Sequence, residues 1–154
     1  MHITNLLSQY FGKFAKKEFP RPIQELINGS YTKFMKLDLK EFKSSKHYKS
    51  LNELFTRDLI IKREIDGSKD IFISPTDSLI TECGKLKNDT ALQIKGMEYS
   101  VEELLTYYCR DNFSKVENGD FMNFYLSPKD YHRYHSPVDF KLKKLIHVPG
   151  NYIL

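Results

Sequence analysis

The first part of the chain places apolar side chains with the period of an α-helix. Within residues 3–15 the apolar positions recur at intervals of three and four residues, which predicts an amphipathic helix. These positions are Ile3, Leu6, Leu7, Tyr10, Phe11 and Phe14. No acidic residue precedes Glu18, whereas Lys13, Lys16 and Lys17 lie close together. The first helix is therefore predicted to be basic as well as amphipathic.

A second helical pattern follows, after Pro20 and Pro22 interrupt the first, because proline cannot continue a helix interior. Two interpretations fit both helices. Their apolar faces pack on the core with the lysines solvated, or they contact a membrane surface. Aromatic and leucine side chains can enter the headgroup boundary, and each nearby lysine adds roughly 1 kcal/mol on an anionic surface. We expect residues 1–48 to form a helical, membrane-associating region.

The rest of the chain, residues 49–154, is predicted to contain mainly short strands. Ser50 and Ser100 each begin a Ser-x-x-Glu capping box, which predicts a helix start at each. Around these helices, alternating and β-branched stretches separated by Gly, Pro and Asn-Gly turns predict strands. The predicted strands are residues 71–74, 78–83, 91–95, 121–126 and 141–148. The expected fold class is α+β, with N-terminal amphipathic helices before a mostly antiparallel β-rich core.

Composition narrows the class of protein. A chain of 154 residues with 40% hydrophobic content can form one domain, or part of one, with its own core. Cys83 and Cys109 stand far apart, which gives neither a disulfide framework nor zinc-ligand spacing and favours a reducing compartment. No apolar run approaches the roughly 18 residues of a transmembrane helix, and no signal-peptide core is present. The net charge of +4 is modest, and we expect no nucleic-acid partner.

Two histidines three residues apart, His132 and His135, lie in an aromatic segment between two Ser-Pro pairs. Pro128 and Pro137 favour a loop over a helix there. An imidazole titrates near neutral pH and can move protons when a carboxylate orients it. Asp77, in a turn-like segment between two predicted strands, is the candidate orienter. A structural role for the histidines and an Asx-type turn at Asp77 remain alternatives.

The His-x-x-His spacing also fits two ligands of a metal-dependent hydrolase. A third ligand would then come from Asp77, Asp130 or Glu82. Without the H-E-x-x-H helix that carries a metalloprotease base, the spacing alone is a weak signal. We therefore predict no metal and keep this hydrolase as a minor alternative.

Four segments resemble, in order and spacing, the phosphatidylserine decarboxylase proenzyme family. They are residues 51–66, 74–82, 93–105 and 124–150. The Asp-Tyr-His-Arg-x-His block, together with Lys-Gly-x-x-Tyr-Ser, is their most specific part. The resemblance implies a proenzyme that cleaves itself before a serine in a Gly-Ser-Thr motif, and that serine becomes a pyruvoyl group serving as electron sink. By motif position, Asp77 and His135 activate the serine, and His132 acts in decarboxylation.

The resemblance also implies a biological setting. The substrate is phosphatidylserine, which loses CO2 to give phosphatidylethanolamine in phospholipid biosynthesis. The enzyme is expected to associate peripherally with an anionic membrane surface, on the cytoplasmic face. Its partner is the C-terminal α-chain of the same proenzyme, and a homodimer stays open. The alternative to an enzyme is a noncatalytic module that binds a membrane surface.

This sequence departs from the family pattern in two respects. Ser78 and Phe140 stand where the family usually has glycine, so a side chain constrains the backbone at both positions. In addition, neither Gly-Ser pair in the chain is followed by Thr, and neither lies after the histidines. We therefore expect this chain to be the N-terminal part of the proenzyme, with the pyruvoyl-forming serine outside it, and to be inactive alone.

Overall fold

A computed structural model describes residues 3–86, 92–94, 97–105, 108, 110 and 113–147. The chain divides into two compact units. The first comprises Met1–Asp77 and Leu126–Leu154, and the second comprises Ser78–Tyr125. The first unit is helical with long irregular segments, and the second contains the paired strands. The expected α+β class is confirmed.

Two helices begin the first unit, as predicted: α1 spans Ile3–Lys16 and α2 spans Arg21–Met35. Pro22 lies in the first turn of α2, where a missing N–H leaves no helical hydrogen bond unmade. Lys36 follows the last residue of α2 as its C-cap, and its φ of 54° is left-handed. Such a residue closes a helix by turning the backbone out of its path. None of the described helices is long and apolar enough to cross a membrane.

The two helices differ in what they bury. The apolar side chains of α1 are largely exposed, and they include Leu6, Leu7, Tyr10, Phe11 and Phe14. Helix α2 instead buries two polar side chains, Gln24 and Asn28, while Ile27 packs against the core. These exposed residues do not fit the interpretation in which the apolar face of α1 packs on the core.

The core of the first unit is a small cluster of Ala15, Tyr48, Leu51 and Leu54. A 3-10 turn at Ser45–His47 and helix α3 at Leu51–Phe55 contribute to it. The side chain of Ser50 accepts a hydrogen bond from the backbone N–H of Glu53 at 3.1 Å. This bond confirms the predicted capping box, which starts α3 at the edge of the core.

Asn28 connects α2 to this turn through buried hydrogen bonds. Its Nδ2 donates to the carbonyl oxygens of Ser45 and Tyr48 at 3.1 and 2.9 Å. Its Oδ1 accepts from Gln24 at 2.8 Å. A buried amide is tolerated only when its polar atoms are paired, and these three bonds pair them.

Replacing Leu54 with alanine should strongly destabilise the first unit. Leu54 is 0% exposed, so the substitution removes buried methyl groups and leaves a cavity. We expect the free energy of unfolding to fall by about 2–5 kcal/mol, measured by urea denaturation followed by circular dichroism. Leu26→Ala is the matched control, since Leu26 is 70% exposed. Equal losses in the two variants would contradict this assignment of the core.

The second unit contains two antiparallel strand pairs. Strand β1 (Leu79–Lys85) pairs with β4 (Asp120–Tyr125), and β2 (Leu92–Ile94) pairs with β3 (Met97–Tyr99). Two short helices, α4 (Val101–Leu105) and α5 (Phe113–Val116), lie between β3 and β4 in the chain.

The capping box at Ser100 is confirmed as well. The backbone N–H of Glu103 donates to Ser100 Oγ, and the backbone N–H of Ser100 donates to Glu103 Oε2, each at 3.0 Å. These reciprocal bonds satisfy two donors at the start of α4 that would otherwise lack partners.

Two strand predictions were wrong. Residues 71–74 and residues 141–147 are irregular, and residue 148 lies outside the described residues. The N–H of Ile73 donates to the Pro137 carbonyl at 3.0 Å, but the described neighbours continue no ladder. A strand needs a partner backbone as well as an apolar pattern. Strand β3 and helix α5 were not predicted, because three or four residues are too few to establish a period.

Ser78 and Phe140 occupy their positions without a left-handed backbone. Among the described residues, the non-glycine residues with positive φ are Lys36 and Asn118. Neither position thus requires the conformational freedom of glycine in this structure.

Candidate functional site

The histidine segment, residues 126–137, is an irregular loop without a helix, as predicted. Arg57 holds it from the end of α3. Nη2 of Arg57 donates to the carbonyl oxygens of Lys129 and Asp130 at 2.9 and 3.0 Å, and Arg57 is only 2% exposed. Since a buried guanidinium has few alternative positions, these bonds fix the loop against the helical part of the unit.

His135 lies near the C-terminal end of this loop, and it is exposed. Its backbone N–H donates to the Pro75 carbonyl at 2.8 Å, which brings the loop beside the segment that ends in Asp77. The ring nitrogen Nε2 lies 3.0 Å from the hydroxyl oxygen of Tyr131, and the two rings stack with centroids 5.6 Å apart. Burial raises the pKa of the Tyr131 phenol, so the hydroxyl keeps its proton at neutral pH. The contact fixes the imidazole at one nitrogen.

The Asp77 carboxylate is bound by Arg63 through two parallel hydrogen bonds. Nη1 donates to Oδ1 at 2.6 Å, and Nη2 donates to Oδ2 at 2.8 Å. These bonds hold the pKa of Asp77 below its usual value although partial burial opposes them, and nearby Arg57 and His135 lower it further. Asp77 is therefore ionised at neutral pH. Among the described residues its partner is Arg63, which is 14 residues away in the sequence. An Asx-type turn would instead pair the carboxylate with a backbone group close to it in the chain.

Asp77 and His135 line one open cavity of about 620 Å³. Tyr131 also faces it. Much of the remaining wall is apolar, formed by Leu59, Ile60, Ile61, Ile65 and Ile73. The structure thus brings two of the three candidate residues to the same cavity. An imidazole near an ionised carboxylate can remove a proton from a hydroxyl placed between apolar walls.

His132 does not line that cavity. Its ring stacks on Phe55 with centroids 3.9 Å apart, and Nε2 lies 3.0 Å from the carbonyl oxygen of Ser127. A carbonyl can only accept, so Nε2 carries the hydrogen and Nδ1 is the basic nitrogen. Burial lowers the pKa of His132, outweighing the raising effect of the bond to Ser127. The imidazole is therefore held rigidly and is neutral at pH 7.

The described residues offer no group of three His, Cys, Asp or Glu side chains arranged to hold a metal ion. Asp77 is engaged by Arg63, and Asp130 accepts from the backbone N–H of Ser127 at 2.7 Å. Glu82 belongs to the second unit. The metal-dependent hydrolase gains no support from the described part of the chain.

Sequence patterns assigned no role to two residues of this site, Arg63 and Tyr131. Arg63 lies in a run of charged residues that resembles a solvated surface segment. Its contacts with Glu41 and Asp77 span 22 and 14 residues, a separation that no local pattern reveals. Tyr131 is part of the specific Asp-Tyr-His-Arg block. Its position next to the candidate proton-transfer residue His132 is the sequence feature that could have indicated a role.

Known proteins of one family resemble this chain over most of its length. The family model described as phosphatidylserine decarboxylase matches residues 51–154. A phosphatidylserine decarboxylase proenzyme from Helicobacter pylori is 46% identical over 149 residues, covering 96% of this chain and 54% of that protein. One from Campylobacter jejuni is 47% identical, covering 97% and 56%, and one from Escherichia coli is 38% identical, covering 84% and 41%.

The chain therefore spans about half the length of the curated relatives it matches. The family model covers the larger part of the chain, and the relatives align with nearly all of it. On these matches, the chain belongs to the phosphatidylserine decarboxylase family.

Proposed function

We propose that this chain is the N-terminal, β-chain part of a pyruvoyl-dependent phosphatidylserine decarboxylase. The complete protein converts phosphatidylserine to phosphatidylethanolamine and CO2, after cutting itself before the serine of a Gly-Ser-Thr motif. The observation that carries the proposal is the shared cavity of Asp77 and His135 in a chain of this family. On this proposal, the C-terminal α-chain of the same proenzyme supplies the serine.

Self-cleavage requires a base because a serine hydroxyl is a weak nucleophile until its proton is removed. In our proposal His135 takes the proton from the serine Oγ as that oxygen attacks the preceding peptide carbonyl, and the proton passes to the serine nitrogen as the peptide C–N bond breaks to leave an ester. Asp77 stabilises the imidazolium that forms, and it can do so because Arg63 keeps its pKa low. The exposed imidazole of His135 can be approached by a segment from outside the unit. Loss of the serine Cα proton then breaks the Cβ–O bond, which releases the upstream chain as a carboxylate, and the dehydroalanine left behind hydrolyses to the pyruvoyl group and ammonia.

The pyruvoyl group derived from that serine supplies the electron sink for decarboxylation. The cavity fits such a small carbonyl-bearing group, since it combines an apolar wall with the phenol of Tyr131 and the imidazole of His135. His132 lies outside this cavity, and we propose that the substrate carbon that has lost CO2 reaches its Nδ1, which takes up a proton and delivers it to that carbon. Its anchored Nε2 leaves that nitrogen as the site of exchange.

The exposed apolar face of α1 is proposed to contact an anionic membrane surface. Leu7, Tyr10 and Phe11 are 59%, 63% and 61% exposed, and Lys13 and Lys16 lie in the last turn. Apolar side chains of such a helix enter the headgroup boundary while lysines attract anionic lipid. The assignment of residues 1–48 to peripheral association on the cytoplasmic face rests on this surface and on the family resemblance.

Phe11→Glu should reduce binding of this chain to vesicles containing phosphatidylserine. The substitution removes an apolar side chain worth about 1.5–3 kcal/mol when buried, so we expect binding to fall about tenfold or more in a cosedimentation assay. Gln9→Glu is the matched control, because it adds the same charge at an exposed position on the other side of α1. If both variants lose binding equally, apolar insertion is not what holds the helix to the membrane.

Release of CO2 separates the decarboxylase from a noncatalytic membrane-binding module. The completed proenzyme is this chain joined to a C-terminal segment that carries the Gly-Ser-Thr motif. We expect the completed proenzyme to release CO2 from phosphatidylserine vesicles, and this chain alone to bind the vesicles without releasing CO2. Vesicle binding without CO2 from either protein would favour the noncatalytic module.

A further inference from the structure

The Arg63 side chain lies against Asp77 and against the ring of Tyr131, which in turn contacts His135. The guanidinium of Arg63 lies between two carboxylates, pairing with Asp77 at 2.6 Å and with Glu41 at 2.7 Å. Its central carbon also lies 5.8 Å from the centroid of the Tyr131 ring. That ring carries the hydroxyl that contacts His135. The Arg63 side chain is 34% exposed, so it is partly shielded from water.

We propose that Arg63 is a positioning residue for self-cleavage, which fixes the plane of the Asp77 carboxylate and supports the His135 ring through Tyr131. Glu41 acts as its second anchor. This inference rests on the proposed function of Asp77 and His135, and it assigns Arg63 no contact with the reacting atoms.

The geometry of the arginine fork carries the argument. Two parallel N–H···O bonds fix both the direction and the plane of a carboxylate, which a single ammonium cannot do. Each carboxylate oxygen keeps a further lone pair with which to accept from an imidazole. Nε and Nη2 of Arg63 also donate to Glu41 at 3.0 and 2.7 Å. The guanidinium is therefore also held by Glu41, so it keeps its position if the Asp77 side chain moves.

Arg63 also lowers the pKa of its partner Asp77. The charged and titratable groups around Asp77 are Arg57, Arg63, His135, Glu41 and Tyr131. Among them Arg63 contributes most to the low pKa of Asp77. Its removal should therefore raise the pKa of Asp77 towards the usual value of a carboxyl group. Because cleavage in our proposal requires ionised Asp77, the acidic limb of its pH–rate profile then moves to higher pH.

The test is the rate of self-cleavage of the completed proenzyme as a function of pH, followed by the appearance of two chains on a denaturing gel. For Arg63→Gln we expect the rate at neutral pH to fall about 100-fold, because small misplacements of reacting groups are costly, and the acidic limb to move to higher pH. Arg110→Gln is the control, since Arg110 is exposed and pairs with Glu102 in the second unit. Its rate and profile should match those of the unsubstituted protein.

Arg63→Lys separates charge from geometry and serves if Arg63→Gln does not fold. It keeps the positive charge but loses the fork, so we expect an acidic limb near that of the unsubstituted protein and a reduced rate. A folded Arg63→Gln protein with normal rate and profile would overturn the positioning role, as would full activity of Arg63→Lys. Asp77→Asn, assayed in parallel, distinguishes the causes. If it cleaves normally, the proposed function itself fails, and if it does not, only the role of Arg63 is in question.

Discussion

The completed proenzyme carrying His135→Ala is expected to remain a single uncleaved chain. His135 is the imidazole that shares the cavity with ionised Asp77, and without it no other histidine of the described residues lines the cavity to take the serine proton. A positioned general base contributes roughly 100- to 10,000-fold, so cleavage should slow by that factor. The measurement is the fraction of two-chain protein over time on a denaturing gel.

His47→Ala is the matched control for this variant. His47 is exposed in the 3-10 turn and lies outside the cavity, so its loss should leave cleavage unchanged. Because His135 is also exposed, its replacement by alanine should not disturb the core. A His135→Ala protein that splits at the normal rate would refute the role of this residue as the base.

Replacing His132 should have the opposite pattern. The completed proenzyme with His132→Ala should cleave itself normally, because His132 does not line the cavity of Asp77 and His135. Decarboxylation of phosphatidylserine by the cleaved protein should fall roughly 100- to 10,000-fold, the range for loss of a proton-transfer group. The measurement is CO2 release per cleaved protein.

His132→Gln distinguishes proton transfer from a structural role. The glutamine amide can still donate to the Ser127 carbonyl that Nε2 contacts at 3.0 Å, but it cannot exchange a proton near neutral pH. We expect His132→Gln to fold like the unsubstituted protein and to be as inactive in decarboxylation as His132→Ala. If glutamine restores activity, His132 serves only to hold the loop in place.

The two histidines thus differ in ways that suit two separate steps. His135 is exposed and held through Tyr131 beside Asp77. His132 is half-buried against Phe55, with a lowered pKa. Environments that differ in this way give the two imidazoles different solvent access and different hydrogen-bond partners. This difference supports assigning serine activation and protonation to different residues.

Local signals predicted the parts of the fold that local interactions determine. The periodicity of α1 and α2 and the capping boxes at Ser50 and Ser100 each depend on residues within a few positions of one another. They were predicted correctly because such patterns contain their own hydrogen-bond partners. Strands β1 and β4 were also predicted from their own residues, but their hydrogen-bond partners are nonlocal, because the two strands pair with each other.

Nonlocal contacts could not be predicted in this way. The burial of Asn28 depends on carbonyl groups of a turn some 17 to 20 residues away. The segment at residues 71–74 has a strand-like composition, but a pattern does not specify whether a partner backbone exists. For the site, the motif predicted Asp77, His132 and His135 as candidates, whereas the ion pairs of Arg63 arise only in the folded chain.

The most direct test of the central claim, that Asp77 and His135 act as one unit on a serine, is a double-variant comparison in the completed proenzyme. The rates of self-cleavage are measured for Asp77→Asn, His135→Ala and the combined variant over long incubations. Residues that act together are strongly non-additive, so the combined variant should be no slower than His135→Ala alone. If the two losses instead multiply, the residues act independently and the claim is wrong.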